Sequence, residues 1–182
     1  YVSAIRAAQL GMSVACIDSW KDNQGGAALG GTCTNVGCIP SKALLQSSEN
    51  FEQASRHFFE HGIEAENLSL KLGTLIERKN RIVRQNNAGI DYLFRKNKIK
   101  FFHGEGQFTC YLGNSWLIRV TGSSSTDLEA DHIVIATGSS ARQLPNVPFD
   151  EKIILSNDGA LNISPVPKKL GIIGAGVIGL EM

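Results

Sequence analysis

The sequence lacks the features by which membrane, secreted and nucleic-acid-binding proteins are usually recognised. No apolar run approaches the roughly 18 residues of a membrane span, and the first residues do not form a basic start followed by an apolar block. The 18 Lys and Arg residues nearly balance 17 Asp and Glu residues, and they are scattered rather than clustered. We therefore predict neither a membrane partner nor a nucleic-acid partner.

Cysteine is also scarce. Four cysteines in 182 residues are too few for a secreted disulfide scaffold, which favours a reducing, cytoplasmic location. Cys33 and Cys38 do not have the two-residue spacing of a zinc knuckle, and no second Cys or His pair is placed to complete a tetrahedral site with them, so no metal is predicted. Hydrophobic residues make up 42% of the chain, enough to bury a core.

The chain opens at Tyr1 within a helical pattern and ends at Met182 just as another helix begins. We therefore expect a piece of a longer protein, truncated at both ends. Gly11 and Gly62 are predicted to end helices in the left-handed conformation. The predicted helices cover residues 1–10, 41–62 and 70–98, the predicted strands cover 13–18, 98–110, 114–122, 131–138 and 170–173, and a short element lies at 156–161.

The most informative segment is GGTCTNVGCIPSKALL, residues 30–45, in which four residues separate Cys33 from Cys38. This spacing allows a small disulfide ring at the start of the helix that Pro40 introduces, where unpaired N–H groups favour a thiolate over a thiol. Spacing alone leaves a structural disulfide or two buried free thiols equally open. The residues around the two cysteines favour the ring. Glycines at positions 30, 31 and 37 leave the backbone free to turn tightly, and Lys42 places a cation one turn into the helix.

A second motif, GAGVIG, has the G-x-G-x-x-G spacing of a dinucleotide-binding turn. It follows an apolar run that is predicted to be a buried strand, and it opens a helix, which is the context that the motif requires. The acid that would distinguish NAD from NADP is expected beyond Met182, so the sequence leaves that choice open. The candidate residues are Gly174, Gly176, Val177, Ile178 and Gly179.

Three shorter signals fit the same chemistry. Asp18 ends a strand after a helix, where an acid can bind a ribose hydroxyl, although a solvated acid is an equal alternative. ATGS contains Thr137, Gly138 and Ser139 in a turn after the predicted buried strand HIVIA. HGEG contains Gly106. A simple turn is the plainer interpretation of each of these last two segments.

In its order of motifs, the whole chain resembles the pyridine nucleotide-disulfide oxidoreductases, and residues 30–45 resemble the active-site segment of their lipoamide branch. The resemblance implies that Cys33 exchanges with the substrate and that Cys38 contacts the flavin. It also implies an FAD site, in which the family usually has Glu where this chain has Asp18. The FAD residues would be Asp18, Gly31, Thr32, Lys42, Gly106, Thr137, Gly138 and Ser139, and the NAD residues Gly174, Gly176, Val177, Ile178 and Gly179.

The resemblance further implies an α/β fold: a Rossmann-like, three-layer FAD/NAD(P)-binding domain with a helical hairpin and a small antiparallel sheet, truncated. Residues 1–150 would form the FAD-binding domain without its first strand and glycine turn. Residues 151–182 would form a linker and the first strand and glycine turn of the NAD-binding domain.

The implied parent is a homodimer that oxidises dihydrolipoamide on the carrier protein of a 2-oxoacid dehydrogenase or glycine-cleavage complex, with FAD and NAD as cofactors. The family's catalytic His belongs to another domain, so the four histidines here are expected at the surface or at helix ends, and the isolated chain is expected to be inactive. The alternatives are a flavin disulfide reductase of the glutathione or mercuric type, a non-catalytic flavin-binding or assembly module, and a purely structural disulfide.

Overall fold

The computed structural model describes residues 1–22 and 24–182, in which helices alternate with strands. The predicted α/β class is confirmed. No helix of these residues combines the length and the apolar character needed to cross a membrane. The elements are α1 (Val2–Gln9), β1 (Ala15–Asp18), α2 (Gly31–Val36), α3 (Cys38–Arg56), a 3-10 turn (Phe58–His61), α4 (Leu72–Lys96), β2 (Lys100–Tyr111), β3 (Trp116–Gly122), β4 (Ser125–Ala130), α5 (Asn157–Ala160) and α6 (Val177–Glu181).

The chain divides into two compact units, each built from two stretches. The first unit contains Tyr1–Gly31 and Gln85–Ser139, and the second contains Thr32–Arg84 and Ser140–Met182. Helix α4 contributes residues to both units. The predicted domain boundary at residue 150 stays a prediction.

The first unit holds the sheet, whose strand order is β1-β2-β3-β4. β1 pairs in parallel with the first part of β2, ending with Asp18 opposite His103. The rest of β2 pairs antiparallel with β3, and β3 pairs antiparallel with β4. On β3, buried Ile118 and Val120 alternate with exposed Arg119, the two-residue period of a strand with one face covered. The strands predicted at 13–18, 98–110 and 114–122 are confirmed.

The core of the first unit lies where α1, β1 and β2 meet the second part of α4. Ile90 and Phe94 are four residues apart on α4 and therefore lie on the same face of the helix. Phe94 is only 2% exposed. Gly11 has φ of +89° and ends α1, as predicted. The buried cluster is Leu29, Ile90, Phe94 and Ile99, with Ala4, Ile5, Ala8, Val14, Cys16 and Phe101 packed against it.

In the second unit, two basic side chains of α4 bind backbone carbonyls. Arg78 donates hydrogen bonds to the carbonyl of Ala43 at 2.8 Å and to the hydroxyl of Ser47 at 3.1 Å, which joins α4 to α3. The buried Lys79 donates to the carbonyl of Leu161 at 2.9 Å. These two long helices and the 3-10 turn confirm the helices predicted at 41–62 and 70–98.

Two predicted strands are wrong. The segment 132–136, HIVIA, is irregular, and Val134 and Ile135 are 71% and 72% exposed rather than buried. The segment 170–173 is also irregular, with Ile173 81% exposed. Their composition suits a central strand, but a strand forms only where neighbours satisfy its backbone N–H and C=O groups. Among the described residues neither segment has such a neighbour, whereas β4, which was not predicted, pairs with β3.

We expect Phe94→Ala to lower the free energy of unfolding by about 3–5 kcal/mol, because it removes a fully buried ring and leaves a cavity. Urea unfolding followed by circular dichroism measures this loss. Tyr92→Ala is the matched control, since Tyr92 lies on the same helix but is 59% exposed, and its cost should stay within about 0.5 kcal/mol. Equal losses for the two variants would contradict this account of the core.

Candidate functional site: the Cys33–Cys38 disulfide and its surroundings

The two cysteines of the glycine-rich segment form a disulfide, Cys33–Cys38. Cys33 lies on α2 and Cys38 is the first residue of α3, and their Cα atoms are 4.7 Å apart. Both residues are exposed. A thiolate from solution therefore has access to the disulfide, which thiol–disulfide exchange requires.

The local sequence explains how so small a ring closes. Gly30 and Gly31 have φ of +117° and +64°, the left-handed region that favours glycine, and they turn the chain into α2. At Gly37 a Cβ atom would lie 3.0 Å from the carbonyl oxygen of Thr32 and 3.2 Å from the Cα of Cys33. Because both of these neighbours are backbone atoms, a side chain at this position would push the two halves of the ring apart.

The position of Cys38 at the start of α3 gives its sulfur a favourable electrostatic environment. The first N–H groups of a helix have no intrahelical acceptor and carry a positive partial charge. In the reduced state this charge favours the thiolate of Cys38. The turn is fixed by Ser41, whose N–H donates to the carbonyl of Gly37 at 3.1 Å and whose hydroxyl donates to that of Cys38 at 3.3 Å.

Lys42, one turn into α3, forms an ion pair with Glu181 at the end of α6. The Lys42 ammonium holds the pKa of the Glu181 carboxyl below its usual range, and a hydrogen bond from Ser41 adds to this effect. The sequence singled out Lys42 but missed Glu181. The available signal was an acid directly after the glycine-rich turn, in GAGVIGLE.

The glycine-rich turn has the backbone form that its motif predicts. Gly174 has φ of +107°, and Gly176 precedes the first residue of α6. A Cβ atom on Gly179 would overlap the carbonyl oxygen of Gly174, so only glycine lets the helix approach the turn this closely. Val177 and Ile178 begin α6 and are exposed.

In the first unit, Asp18 and Gly106 lie near one another, at the end of β1 and in β2. Asp18 accepts a hydrogen bond from the backbone N–H of Trp20 at 2.9 Å. A Cβ atom on Gly106 would lie 3.1 Å from the side chain of Ile17, so glycine fits here without displacing it. The residue after Asp18 is one of those that line a groove of about 460 Å³. The lining residues are Ser19, Lys21, His103, Glu105, Thr121 and Gly122.

The remaining predicted flavin residues are spread over both units. Gly31 begins α2 in the first unit, and Thr32 follows it on the same helix in the second. Thr137, Gly138 and Ser139 lie in irregular chain of the first unit, with Gly138 at φ of +79°. Gly138 has the left-handed φ that a tight turn would use, but the buried strand expected before it is absent.

The other cysteines and the histidines have no part in the disulfide. Burial raises the pKa of the Cys16 thiol in β1, which disfavours its reactive thiolate form, and Cys110 is free and exposed. His103 was expected at the surface or at a helix end. It lies instead in β2, and its Nδ1 is buried without a hydrogen-bond partner among the described residues. The three exposed histidines are His57, His61 and His132.

Comparison with known proteins agrees with this arrangement. The family model for pyridine nucleotide-disulphide oxidoreductases matches residues 1–182, the whole chain. The chain belongs to this family. Within it, the exposed Cys33–Cys38 disulfide is the feature that corresponds to the family's name.

Similar proteins include dihydrolipoyl dehydrogenase of Cupriavidus necator, 47% identical over 100% of this chain and 38% of that protein. The mitochondrial dihydrolipoyl dehydrogenase of Pisum sativum is 45% identical over 100% of this chain and 35% of its own length. Leghemoglobin reductase of Glycine max is 44% identical over 100% of this chain and 33% of its own length. The chain thus spans about a third of the length of the curated relatives it matches.

A solved structure confirms the predicted fold class. The crystal structure of LpdA from Mycobacterium tuberculosis superposes with a TM-score of 0.73, over 89% of this chain and 34% of that one. Its sequence identity is only 21%, so this likeness concerns the fold alone. The chain therefore has the Rossmann-like α/β fold that the sequence predicted, in keeping with its family.

We expect Gly37→Ala to lower the oxidised fraction of Cys33 and Cys38 at a fixed ratio of reduced to oxidised glutathione, because the added methyl group meets the backbone of Thr32 and Cys33 at the other end of the ring. Differential alkylation followed by peptide mass analysis measures this fraction. Gly89→Ala is the control, since a Cβ atom there meets nothing within 4 Å. It should leave the fraction unchanged and, as a helix-interior position, stabilise the chain by about 0.5–1 kcal/mol. If Gly37→Ala had the same oxidised fraction as the unsubstituted 182-residue chain, the ring would tolerate a side chain and this account of Gly37 would be contradicted.

Proposed function

We propose that this chain is the part of a dihydrolipoyl dehydrogenase that carries the redox-active disulfide, Cys33–Cys38. The single observation behind the proposal is that the two cysteines are bonded and exposed at the start of α3. Relatives named dihydrolipoyl dehydrogenase, 40–47% identical over the whole chain, support this substrate among those used in the family.

The chemistry proposed for the chain's own residues is thiol–disulfide exchange. One thiolate of dihydrolipoamide attacks Sγ of Cys33, the Cys33–Cys38 bond breaks, and Cys38 leaves as a thiolate that the start of α3 stabilises. The second thiol of the substrate then attacks the mixed disulfide, releasing lipoamide and the thiol of Cys33. The substrate has lost two electrons and two protons, and the chain holds a dithiol. A bound FAD would supply the two-electron acceptor for this dithiol and the hydride donor toward NAD.

The cofactor residues remain as the sequence predicted them and belong to this proposal. Asp18 would bind the adenosine ribose of FAD, beside a groove whose lining of Ser19, Lys21, His103, Glu105 and Thr121 is largely polar and suits such a group. Lys42 would lie near the flavin ring. The others would bind through backbone groups: Gly31, Thr32, Gly106, Thr137, Gly138 and Ser139 for FAD, and Gly174, Gly176, Val177, Ile178 and Gly179 for NAD.

The proposal extends to assembly. The parent protein would be a cytoplasmic homodimer that acts on the lipoyl-carrier protein of a 2-oxoacid dehydrogenase or glycine-cleavage complex, and its first two domains would meet near residue 150. The 182 residues alone would not turn over, because the relatives that carry the name are about three times as long.

The test is lipoamide-dependent turnover of NADH by the full-length protein that contains this chain. Cys33→Ser and Cys38→Ser should each lower kcat by at least ~10³-fold, because each removes half of the two-electron couple. Cys110→Ser changes an exposed free thiol and is the matched control, for which we expect less than about a two-fold change. Full turnover with Cys33→Ser would contradict the proposal, and turnover by the 182-residue chain alone would contradict its predicted inactivity.

A substrate panel separates the proposal from its rivals within the family. Glutathione disulfide with NADPH and mercuric ion with NADPH are the substrates of the two alternative reductases. We expect kcat/KM to be highest for lipoamide with NADH. A preference for either of the others would reassign the substrate while leaving the disulfide chemistry intact, and an absence of turnover with all three would favour a non-catalytic module.

A further inference from the structure

The segment 150–162 folds into a turn and a short helix, and hydrogen bonds to its own side chains stabilise both. Oδ1 of Asp150 accepts hydrogen bonds from three successive backbone N–H groups, those of residues 152–154, each at 2.8 Å. These bonds hold the pKa of the Asp150 carboxyl below its usual range. The hydroxyl of Ser156 then accepts the N–H of Asp158 and caps α5. Asn157, the first residue of α5, is therefore presented by an ordered backbone.

This segment is hydrogen-bonded to the loop of residues 33–38 that the disulfide closes, which we call the redox ring. The side-chain amide of Asn157 donates to the carbonyl of Val36 at 2.7 Å, across 121 residues of sequence. Val36 is the last residue of α2 and lies within the ring, between Cys33 and Cys38. The bond therefore restrains a backbone carbonyl that belongs to the ring.

A buried lysine holds the other end of the segment. The Lys79 ammonium donates to the carbonyl of Leu161 at 2.9 Å and to the side-chain oxygen of Asn162 at 2.6 Å. Lys79 is 3% exposed and Leu161 is 2% exposed. Since a buried ammonium is costly without acceptors, these bonds lock the end of α5 onto α4. Movement of Asn157 away from Val36 would disturb them.

We infer that Asn157 is a positioning residue for the Cys33–Cys38 couple: its amide holds the carbonyl of Val36 so that the two thiols of the reduced ring stay close enough to re-form the disulfide. The inference rests on the proposed function only in taking this disulfide as the working redox couple. Holding the loop lowers the entropy of the dithiol state, and it thereby favours the closed ring. Asn157 makes no contact with substrate in this role.

The test compares the glutathione equilibrium of the oxidised 182-residue chain with that of Asn157→Ala and Asn157→Asp. Asp keeps the shape of Asn but cannot donate a hydrogen bond when it is ionised. We expect each variant to be reduced about five-fold more readily, equivalent to a rise in reduction potential of about 20 mV. Quantitative alkylation of Cys33 and Cys38, resolved by peptide mass, gives the equilibrium constant.

The matched control is Asn97→Ala, which removes a bond of the same kind. Asn97 is also half-buried, and its amide donates to the carbonyl of Leu93 at 2.8 Å, in the other unit of the chain. A general loss of stability would affect this variant too, as urea unfolding would show, yet its glutathione equilibrium should equal that of the parent chain. Amide hydrogen exchange at residues 34–37 should accelerate only in the Asn157 variants.

An unchanged glutathione equilibrium in both Asn157 variants would overturn the inference, and so would an equal shift in Asn97→Ala. Failure of the proposed function has a different signature. In that case Cys33 and Cys38 of the parent chain would not exchange with glutathione at all, or the full-length protein would not turn over lipoamide while the Asn157 variants still shifted the equilibrium.

Discussion

The bond between Cys33 and Cys38 ties α2 to the first residue of α3, and the local structure is arranged so that this ring can close. Glycines at positions 30, 31 and 37 supply the backbone conformations and the space that side chains would deny. The helix start lies at the sulfur of Cys38, where its positive partial charge stabilises a thiolate. A ring that is both strongly constrained and exposed can exchange with thiols while its two sulfurs remain close together.

The second unit relies on side chains that reach backbone carbonyls far away in sequence. Arg78 binds the carbonyl of Ala43, Lys79 binds that of Leu161, and Asn157 binds that of Val36. Each bond gives a main-chain carbonyl a donor from a distant part of the sequence. Together they join α4 to α3 and to α5, and join α5 to the redox ring. The ion pair between Lys42 and Glu181 joins α6 to α3. Helix α3 is therefore bonded to neighbouring elements along its first three turns.

Much of this could be predicted from the sequence, where the deciding signals are local. The periodicity of α4 and the end of α1 at Gly11 follow from residues close together in the chain, whereas the redox pairing of Cys33 with Cys38 was implied by the family resemblance of residues 30–45. The irregular segments 132–136 and 170–173 were predicted as strands because apolar composition cannot show whether a neighbouring strand is present. Glu181 and Asn157 were missed because their partners lie 139 and 121 residues away, and no local pattern encodes contacts over such distances.

The most direct test of the central claim is a redox titration of the 182-residue chain against mixtures of lipoamide and dihydrolipoamide. Thiols at Cys33 and Cys38 are trapped at equilibrium and counted by peptide mass, with the free cysteines Cys16 and Cys110 as internal references. The account predicts a reversible two-electron couple, in which the oxidised fraction moves from nearly complete to nearly absent across about four decades of substrate ratio, a span of about 120 mV. A pair that stays fully oxidised, or fully reduced, over that whole range would contradict it.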